Sequence, residues 1–256
     1  MLPETAPPST AAANPPAEAL DFSQRAYLDE LMDGPCTLEE LRECLRDLAQ
    51  CNQVTLGHRP LLQWLKQFAG DSPGGSPLHI VDVGCGGGDT LRHIERWARR
   101  RNMPVWLTGV DLSPLATRVA REFSRGKSSI RWVTGDAFSY DTESNPIDLV
   151  ISSLFTHHLS DDDLVRFLAW MERVSRRGWL INDLRRSAKS YKLFQWLAKT
   201  MRWHPFVQHD GPVSIRRAFR TSDWQKYLTA AGVSLNDVEI ADSFPGRLCV
   251  SRIQQS

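Results

Sequence analysis

The stretch HIVDVGCGGGDTL, residues 79–91, places four glycines between a hydrophobic run and a predicted helix. These glycines are Gly84, Gly86, Gly87 and Gly88. Clustered glycine costs backbone entropy on folding, so the cluster indicates that another group must approach the main chain closely. The helix predicted to begin at Asp89 would offer free N–H groups and a positive dipole end to that group. The stretch is therefore a candidate ligand-binding loop.

The loop differs from a dinucleotide-binding fingerprint at one position. In the pattern G-x-G-x-x-G, the third glycine lets the helix pack closely beside a bound pyrophosphate. Gly84 and Gly86 fit this pattern, but Asp89 stands where the third glycine should be. A carboxylate there would oppose a pyrophosphate, whereas it is compatible with a cationic ligand that has no phosphate. The loop favours such a ligand, and an NAD-dependent oxidoreductase is the alternative.

The run D-x-G-x-G-x-G, from Asp82 to Gly88, resembles motif I of the class I S-adenosylmethionine-dependent methyltransferases. Three further matches follow in the order that this family requires: VDLSP after a second predicted strand, TGDAF after a third, and SSLFTHHL after a fourth. The resemblance covers roughly residues 78–252. It implies S-adenosyl-L-methionine as the cofactor and S-adenosyl-L-homocysteine as its product. No metal is expected, because no carboxylate spacing beside the histidines supports a triad of ligands.

The resemblance assigns roles to the residues of these motifs. Asp111 in VDLSP would accept hydrogen bonds from the ribose hydroxyls, and Asp136 in TGDAF would face the adenine amino group. From the N-terminal side, we expect Asn52, Gly57 and Arg59 near the methionine carboxylate, because arginine is a natural carboxylate partner. The cofactor set is Asp82, Gly84, Cys85, Gly86, Gly88, Asp111, Leu112, Asp136, Ala137, Ser153 and Arg59.

Candidate bases follow the fourth and fifth predicted strands. Methyl transfer from a sulfonium requires the acceptor to be held in line, and a phenolic acceptor, with a pKa of about 10 like that of tyrosine, must lose a proton. Histidine suits this task near neutral pH. Of His157 and His158, only one should face the site in an extended segment, and we favour His158. In the family, such histidines also help to shape the cofactor pocket. Asp183 would orient a histidine, serve as the base, or form a structural salt bridge.

The acceptor is expected beneath an aromatic insertion that covers 187–220. An NDL-R arrangement after the fifth strand, followed by this insertion and RRAFRTSDW, resembles small-molecule methyltransferases of polyketide-type pathways. The predicted reaction is O-methylation of a phenolic hydroxyl, with C- or N-methylation as the alternative. His204 and His209 in the insertion are interpreted as surface or packing residues. The predicted acceptor contacts are Phe155, Arg185, Tyr191, Phe194 and Trp203.

Alternating strands and helices position these residues. The strands LHIVDV, VWLTGVDL, SIRWVTGD, PIDLVISSLF and RGWLINDL alternate with amphipathic segments, which predicts a parallel sheet covered on both faces. SLNDVEIADS and RLCVSRI are joined by a short FPG turn and must pair antiparallel. The predicted fold is α/β, a Rossmann-like seven-stranded methyltransferase sheet with an antiparallel last strand. We expect a disordered tail over 1–21, a helical cap over 22–70, and the cofactor-binding domain over 78–256.

Composition narrows the partners and the setting. The formal net charge of +1 over 256 residues gives no electrostatic reason to expect nucleic acid. The five cysteines form no CxxC pair, which argues against a disulfide framework or a zinc site and favours a reducing cytoplasm. No apolar run is long enough to span a bilayer, and the N-terminus lacks the pattern of a signal peptide. The predicted partner is a small-molecule acceptor, with a homodimer left open.

Overall fold

The structure is a computed structural model that describes residues 20–69, 76–124, 126 and 128–254. The predicted tail and the GDSPGGSP linker therefore lie almost entirely outside the described residues. The helices are α1 Leu38–Val54, α2 Arg59–Leu65, α3 Asp89–Arg99, α4 Pro114–Phe123, α5 Asp161–Val174, α6 Ala188–Met201, α7 Pro205–Arg217 and α8 Thr221–Ala230. The strands are β1 Leu78–Val83, β2 Val105–Asp111, β3 Arg131–Thr134, β4 Ile147–Ser153, β5 Ser175–Leu184, β6 Val238–Ser243 and β7 Arg247–Ile253.

The strands form one seven-stranded sheet in the order β3-β2-β1-β4-β5-β7-β6. The first five strands in the chain pair in parallel, and β7 is antiparallel to both β5 and β6. The strand order reverses between β1 and β4, which is where open α/β sheets bind ligands. The predicted fold class is confirmed, including the antiparallel last strand.

Helices cover both faces of the sheet, and β1 shows why. All six of its residues are buried, and their side chains alternate between two hydrophobic clusters. Ile80 packs with α2 and α3 in one cluster. Val81 and Val83 pack with α5 and α8 in the other. A strand buried on both faces must be apolar at nearly every position, so Asp82 at the end of this strand is unusual.

The N-terminal cap differs from its prediction. Residues 22–36 are not helical, apart from a single 3-10 turn over Leu31–Asp33. Several main-chain donors of this segment bind α7: Leu31 N and Met32 N donate to the carboxylate of Asp210 at 2.8 and 3.0 Å, and Ala26 N donates to Arg216 O at 3.0 Å. The helix α1 begins where its capping box predicts, at Thr37 and Glu40. Hydrogen bonds therefore hold the extended segment along α7.

The predicted lid consists of α6 and α7, which lie above the carboxyl edge of the sheet. Both helices contribute buried residues to a cluster shared with α1. At the end of α7, Ser214 and Arg217 are turned toward the N-terminal segment. Within the part of the chain that is described, no helix combines the length and the apolar character that a membrane crossing requires.

Candidate active site

A cavity of about 1210 Å³ lies between the carboxyl edge of the sheet and the cap and lid. Its floor is formed by the loops after β1, β2, β3 and β4, and its roof by α1, α6 and α7. One part of the wall, which we term the glycine-loop end, contains Asp82, residues 84–87 and Asp111. Another part of the wall, the histidine end, contains Glu30, Asp33, His157 and His158.

At the glycine-loop end, the backbone conformation requires glycine. Gly84, Gly86 and Gly88 have φ of 69°, 50° and 74°, in the left-handed region that disfavours side chains. A Cβ atom at Gly84 would overlap the ring of Phe155. Gly84 and Gly86 line the cavity, as the motif requires, but Gly88 does not. Gly88 instead precedes α3 and leaves room for the ring of Trp132.

Asp111 is held by main-chain donors and keeps spare acceptor capacity. Its Oδ2 accepts from Gly86 N at 2.8 Å, and its Oδ1 accepts from Ser113 N at 2.9 Å. Burial raises the pKa of Asp111, although these two donors oppose the shift. Each carboxylate oxygen can accept a further hydrogen bond. The fixed carboxylate is therefore suited to a ligand that presents two hydroxyl groups.

Asp82 and Arg247 each carry a buried polar atom without a hydrogen-bond partner among the described residues. These atoms are Asp82 Oδ1 and Arg247 Nη1, and both residues line the cavity. Burial raises the pKa of Asp82 well above its usual value, and the charges of Asp89 and Asp111 add to this shift. Unpaired buried polar groups are costly. A ligand with an ammonium group and a carboxylate, such as the methionine part of S-adenosylmethionine, would pair both atoms, so these residues fit that cofactor.

Arg59, predicted near the ligand carboxylate, lies elsewhere. It is exposed at the start of α2 and does not line the cavity, because the side of α2 that carries Leu61 and Leu65 faces the core. The buried guanidinium in this part of the cavity is that of Arg247, which donates to Asn52 Oδ1 at 2.7 Å. The predicted position of Asn52 in this part of the cavity does agree with the structure.

Asn52 also supports the carboxylate at the start of α3. Its Nδ2 donates to Asp89 Oδ2 at 2.9 Å, and His58 Nε2 lies 3.2 Å from the same oxygen. Burial favours the neutral acid, but the contacts with His58 and Asn52 outweigh it and lower the pKa of Asp89 to about 2. Asp89 is therefore an ionised group of the cavity wall, which would repel a pyrophosphate as its sequence position predicts.

The other predicted cofactor residues also lie in the wall of the cavity. Leu112, Ala137 and Ser153 line the cavity, and so does Asp136, whose Oδ1 accepts from Phe138 N at 3.0 Å. Cys85 also lines it, and burial raises the pKa of its thiol well above the usual value. Cys85 is thus a neutral packing group rather than a nucleophile.

At the histidine end, His157 is fixed by Asp183. His157 Nδ1 lies 2.7 Å from Asp183 Oδ1, and the other oxygen of Asp183 accepts from His157 N at 3.1 Å and from the hydroxyl of Thr156. Burial acts to raise the pKa of Asp183, but His157 and the hydrogen-bond donors outweigh it and hold this pKa well below its usual value. Asp183 is buried behind His157 and does not line the cavity. Its position suits the orientation of a histidine, not the role of base.

Both histidines face the same way, which corrects the expectation that only one would face the site. The segment Thr156–His158 is a 3-10 turn, not an extended strand, so the two rings lie side by side at 4.3 Å. His158 Nδ1 is 3.2 Å from Asp33 Oδ1. Burial alone would lower the pKa of His158, but the carboxylates of Asp33 and Glu30 raise it.

The sequence reasoning missed the residues that surround this turn. Glu30 and Asp33 come from the extended N-terminal segment, and Arg217 comes from the end of α7. Arg217 donates to the carbonyl oxygens of His157 and His158, both at 3.2 Å, and its Nη1 is 3.2 Å from Asp33. Their partners lie at least 59 residues away along the chain, so local spacing gave no signal beyond two acids three residues apart.

The predicted acceptor residues divide into two groups. Phe155 and Phe194 line the cavity. Arg185 does not, because it pairs with Asp242 at the edge of the sheet. Tyr191 turns away to pack edge-on against Phe22. Trp203 is buried in the cluster shared with α1, where its Nε1 donates to Gln50 at 2.8 Å.

Known proteins resemble this chain in sequence and in fold. Residues 80–178 match the family described as "Methyltransferase domain". Ajmaline N-methyltransferase of Rauvolfia serpentina is 28% identical over 111 residues, which cover 42% of this chain and 36% of that protein. The non-reducing polyketide synthase atr1 of Stereocaulon alpinum is 26% identical over 219 residues, 79% of this chain but 8% of the synthase. The chain thus matches only part of the length of these relatives.

A solved structure shows the same fold. The plantazolicin methyltransferase BpumL, crystallised with a monoazolic desmethylPZN analog and SAH, superimposes with a TM-score of 0.60 at 15% identity. The superposition covers 86% of this chain and 98% of that one. The resemblance that was predicted from the four motifs is confirmed by the family match and by this fold.

Proposed function

We propose that this chain, which belongs to the class I S-adenosylmethionine-dependent methyltransferases, methylates a hydroxyl of a small aromatic or polyketide-like molecule. One observation carries the proposal: a single cavity joins the glycine-loop end to two imidazoles beneath a partly aromatic roof. The partial match to a polyketide synthase supports this class of acceptor. The five free cysteines support the predicted cytoplasmic setting.

The glycine-loop end would bind and orient the methyl donor. S-adenosylmethionine, when bound, supplies a methyl group that is activated by the adjacent sulfonium. Asp111 would accept from its ribose hydroxyls, and Asp136 would face its adenine. The unpaired atoms of Asp82 and Arg247 would pair with its ammonium and carboxylate groups, respectively. Fixing one reactant in this way removes much of the entropic cost of bringing two molecules together.

The histidine end would bind the acceptor and remove its proton. His158 is the candidate base, because it lines the cavity and its side chain is partly exposed, whereas His157 is nearly fully buried. Asp33 at its Nδ1 would keep Nε2 free to accept the proton of the hydroxyl. Phe155 and Phe194 would pack against an aromatic acceptor, and Glu30 and Asp33 would stabilise the imidazolium that forms.

N-methylation is the second candidate, and two observations favour it. The relative from Rauvolfia serpentina is named as an N-methyltransferase, and the histidine end carries the carboxylates of Glu30 and Asp33. Carboxylates would attract a protonated amine, which must also lose a proton before it attacks the methyl group. NMR mapping of the transferred methyl group on the product distinguishes oxygen, nitrogen and carbon as the acceptor atom.

Binding and turnover test the two ends separately. Replacing Asp111 by Asn should weaken S-adenosylhomocysteine binding, measured by calorimetry, by about 10-fold or more, since it removes charge-assisted hydrogen bonds. Asp162→Asn on the exposed start of α5 is the matched control.

Replacing His158 by Ala should lower turnover of a phenolic acceptor by roughly 100-fold or more while donor affinity stays unchanged. Unchanged turnover would exclude His158 as the base.

A further inference from the structure

Three ligand atoms converge at the histidine end without bonding to one another. His157 Nε2 lies 3.7 Å from Glu30 Oε1, and His158 Nε2 lies 3.7 Å from Glu30 Oε2. The nitrogen and oxygen atoms that the three residues offer lie within 4.8 Å of one another. A distance of 3.7 Å is too long for a direct hydrogen bond. The carboxylate of Glu30 therefore faces both imidazoles across a gap.

Each imidazole is held by a carboxylate on its other nitrogen. His157 Nδ1 is 2.7 Å from Asp183, and His158 Nδ1 is 3.2 Å from Asp33. A carboxylate beside Nδ1 favours the tautomer with its proton there, so the lone pair of Nε2 points into the gap. Carboxylate–histidine pairs of this kind orient the histidine ligands of metal ions and increase their basicity.

The charges around the gap leave it negative. The carboxylates of Glu30, Asp33 and Asp183 contact the two imidazoles or face them, and the guanidinium of Arg217 contacts Glu30 and Asp33 at 3.5 and 3.2 Å. Three negative charges and one positive charge sum to −2 when the histidines are neutral. Arg25, which also contacts this turn, is paired with Asp161 at 3.0 Å. A divalent cation would balance the remaining charge.

We propose that Glu30, His157 and His158 bind a divalent transition-metal ion of the zinc class. Ligand atoms placed tetrahedrally at about 2.1 Å from such an ion are about 3.4 Å apart. Each Nε2 lies 3.7 Å from a different oxygen of Glu30, and one ligand atom from each of the three residues lies within 4.8 Å of the others, so the side chains must close by up to about 1.4 Å around the ion. Two imidazoles and one carboxylate are typical ligands of zinc sites with one open position. Two nitrogen ligands disfavour Mg²⁺, which prefers oxygen. No carboxylate ligand beside the two histidines was predicted from the sequence, and Glu30 provides one from the N-terminal segment.

The proposed metal site does not depend on the proposed methyl transfer, but a catalytic role of the bound ion rests on that proposed function. All three ligands line the cavity, so an acceptor hydroxyl can occupy the open position. A cation there would lower the pKa of the bound hydroxyl, whose proton would pass to solvent. The oxygen would then bond to the methyl carbon as the carbon–sulfur bond of S-adenosylmethionine breaks, and S-adenosylhomocysteine would leave. An imidazole that binds the ion cannot also accept this proton. Metal-loaded protein would therefore not need His158 as a base.

Metal binding by the full chain tests the inference. Chelator-treated protein is titrated with Zn²⁺ by calorimetry and with Co²⁺ by visible absorption, and Mg²⁺ serves as the control ion. We expect one Zn²⁺ per chain with micromolar affinity or tighter, and a visible Co²⁺ band typical of four ligands. Glu30→Gln, which keeps an acceptor for Ser214, should weaken Zn²⁺ binding by about 10-fold or more, as should His158→Asn. His209→Asn, on a half-exposed lid histidine, should leave it unchanged.

Each result decides between the alternatives. Binding that persists at full strength in both Glu30→Gln and His158→Asn, or no micromolar binding by the wild type, overturns the inference. Circular dichroism and S-adenosylhomocysteine affinity are measured on every variant, so that loss of folding is not mistaken for loss of a ligand. Donor binding without Zn²⁺ binding leaves the proposed function intact and ends the inference. Zn²⁺ binding without donor binding leaves the inference intact and ends the proposed function.

Discussion

The two ends of the cavity are assembled in different ways. The glycine-loop end consists mainly of short loops that directly follow β1, β2 and β3, so its residues are close in sequence to the strands that position them. The histidine end joins a turn after β4 to Glu30 and Asp33 from the N-terminal segment and to Arg217 from α7. One end is therefore a property of the sheet, whereas the other depends on the cap and lid being docked.

The largest effect is expected at Asp183, which holds the histidine end to the sheet. Asp183→Ala removes a fully buried carboxylate with partners on Thr156 and His157, and should lower the free energy of unfolding by about 3–5 kcal/mol. Urea denaturation measures this change, with Asp162→Asn as the exposed control. If the Ala variant does not fold, Asp183→Asn provides the comparison. A loss below about 1 kcal/mol for both variants would show that the pair of Asp183 and His157 does not stabilise the histidine end.

A smaller effect is expected for Arg247, which comes from β7 but lies at the glycine-loop end. Arg247→Met should weaken S-adenosylhomocysteine binding by about 10-fold to 100-fold, because a charge-assisted pair with the ligand carboxylate is lost. Arg59→Met is the matched control, since Arg59 is exposed and lies outside the cavity lining. Calorimetry compares the two variants, and thermal unfolding checks that both fold. Equal losses, or a loss only in Arg59→Met, would contradict this assignment.

The pH dependence of stability reports on Asp89 at the same end. Its pKa of about 2, below the ordinary value of 3.8, means that the ionised form is stabilised by folding. This contribution of about 2 kcal/mol is present above pH 4 and is lost as the pH falls toward 2. Urea unfolding over this range should show a weaker acid dependence for Asp89→Asn than for the wild type. The same slope in both proteins would show that Asp89 is not the group responsible.

The glycine-loop end could be predicted from the sequence more completely than the histidine end. The glycine loop, Asp111 and Asp136 were predictable because each motif adjoins the strand that places it, so strand order alone brings them together. Arg59 was predicted at the cavity but does not line it, whereas Arg247 does, because the antiparallel pairing of β5 with β7 brings Arg247 to the cavity.

The histidine end was predictable only in part. Its two histidines were found, but their shared orientation depends on a 3-10 turn that the pattern did not reveal. Glu30 was missed because residues 22–36 were predicted as helix, whereas they are extended along α7. Contacts between segments so far apart are set by tertiary packing, which has no local periodicity to detect.

A crystal structure of the full chain with S-adenosylhomocysteine would show whether this cavity binds the methyl donor. We expect the ligand in this cavity, with its ribose on Asp111, its carboxylate on Arg247, and its sulfur directed toward the histidine end. A ligand bound outside the cavity, or one whose ribose is held by other residues while Asp111 keeps only its contacts with Gly86 and Ser113, would contradict this expectation.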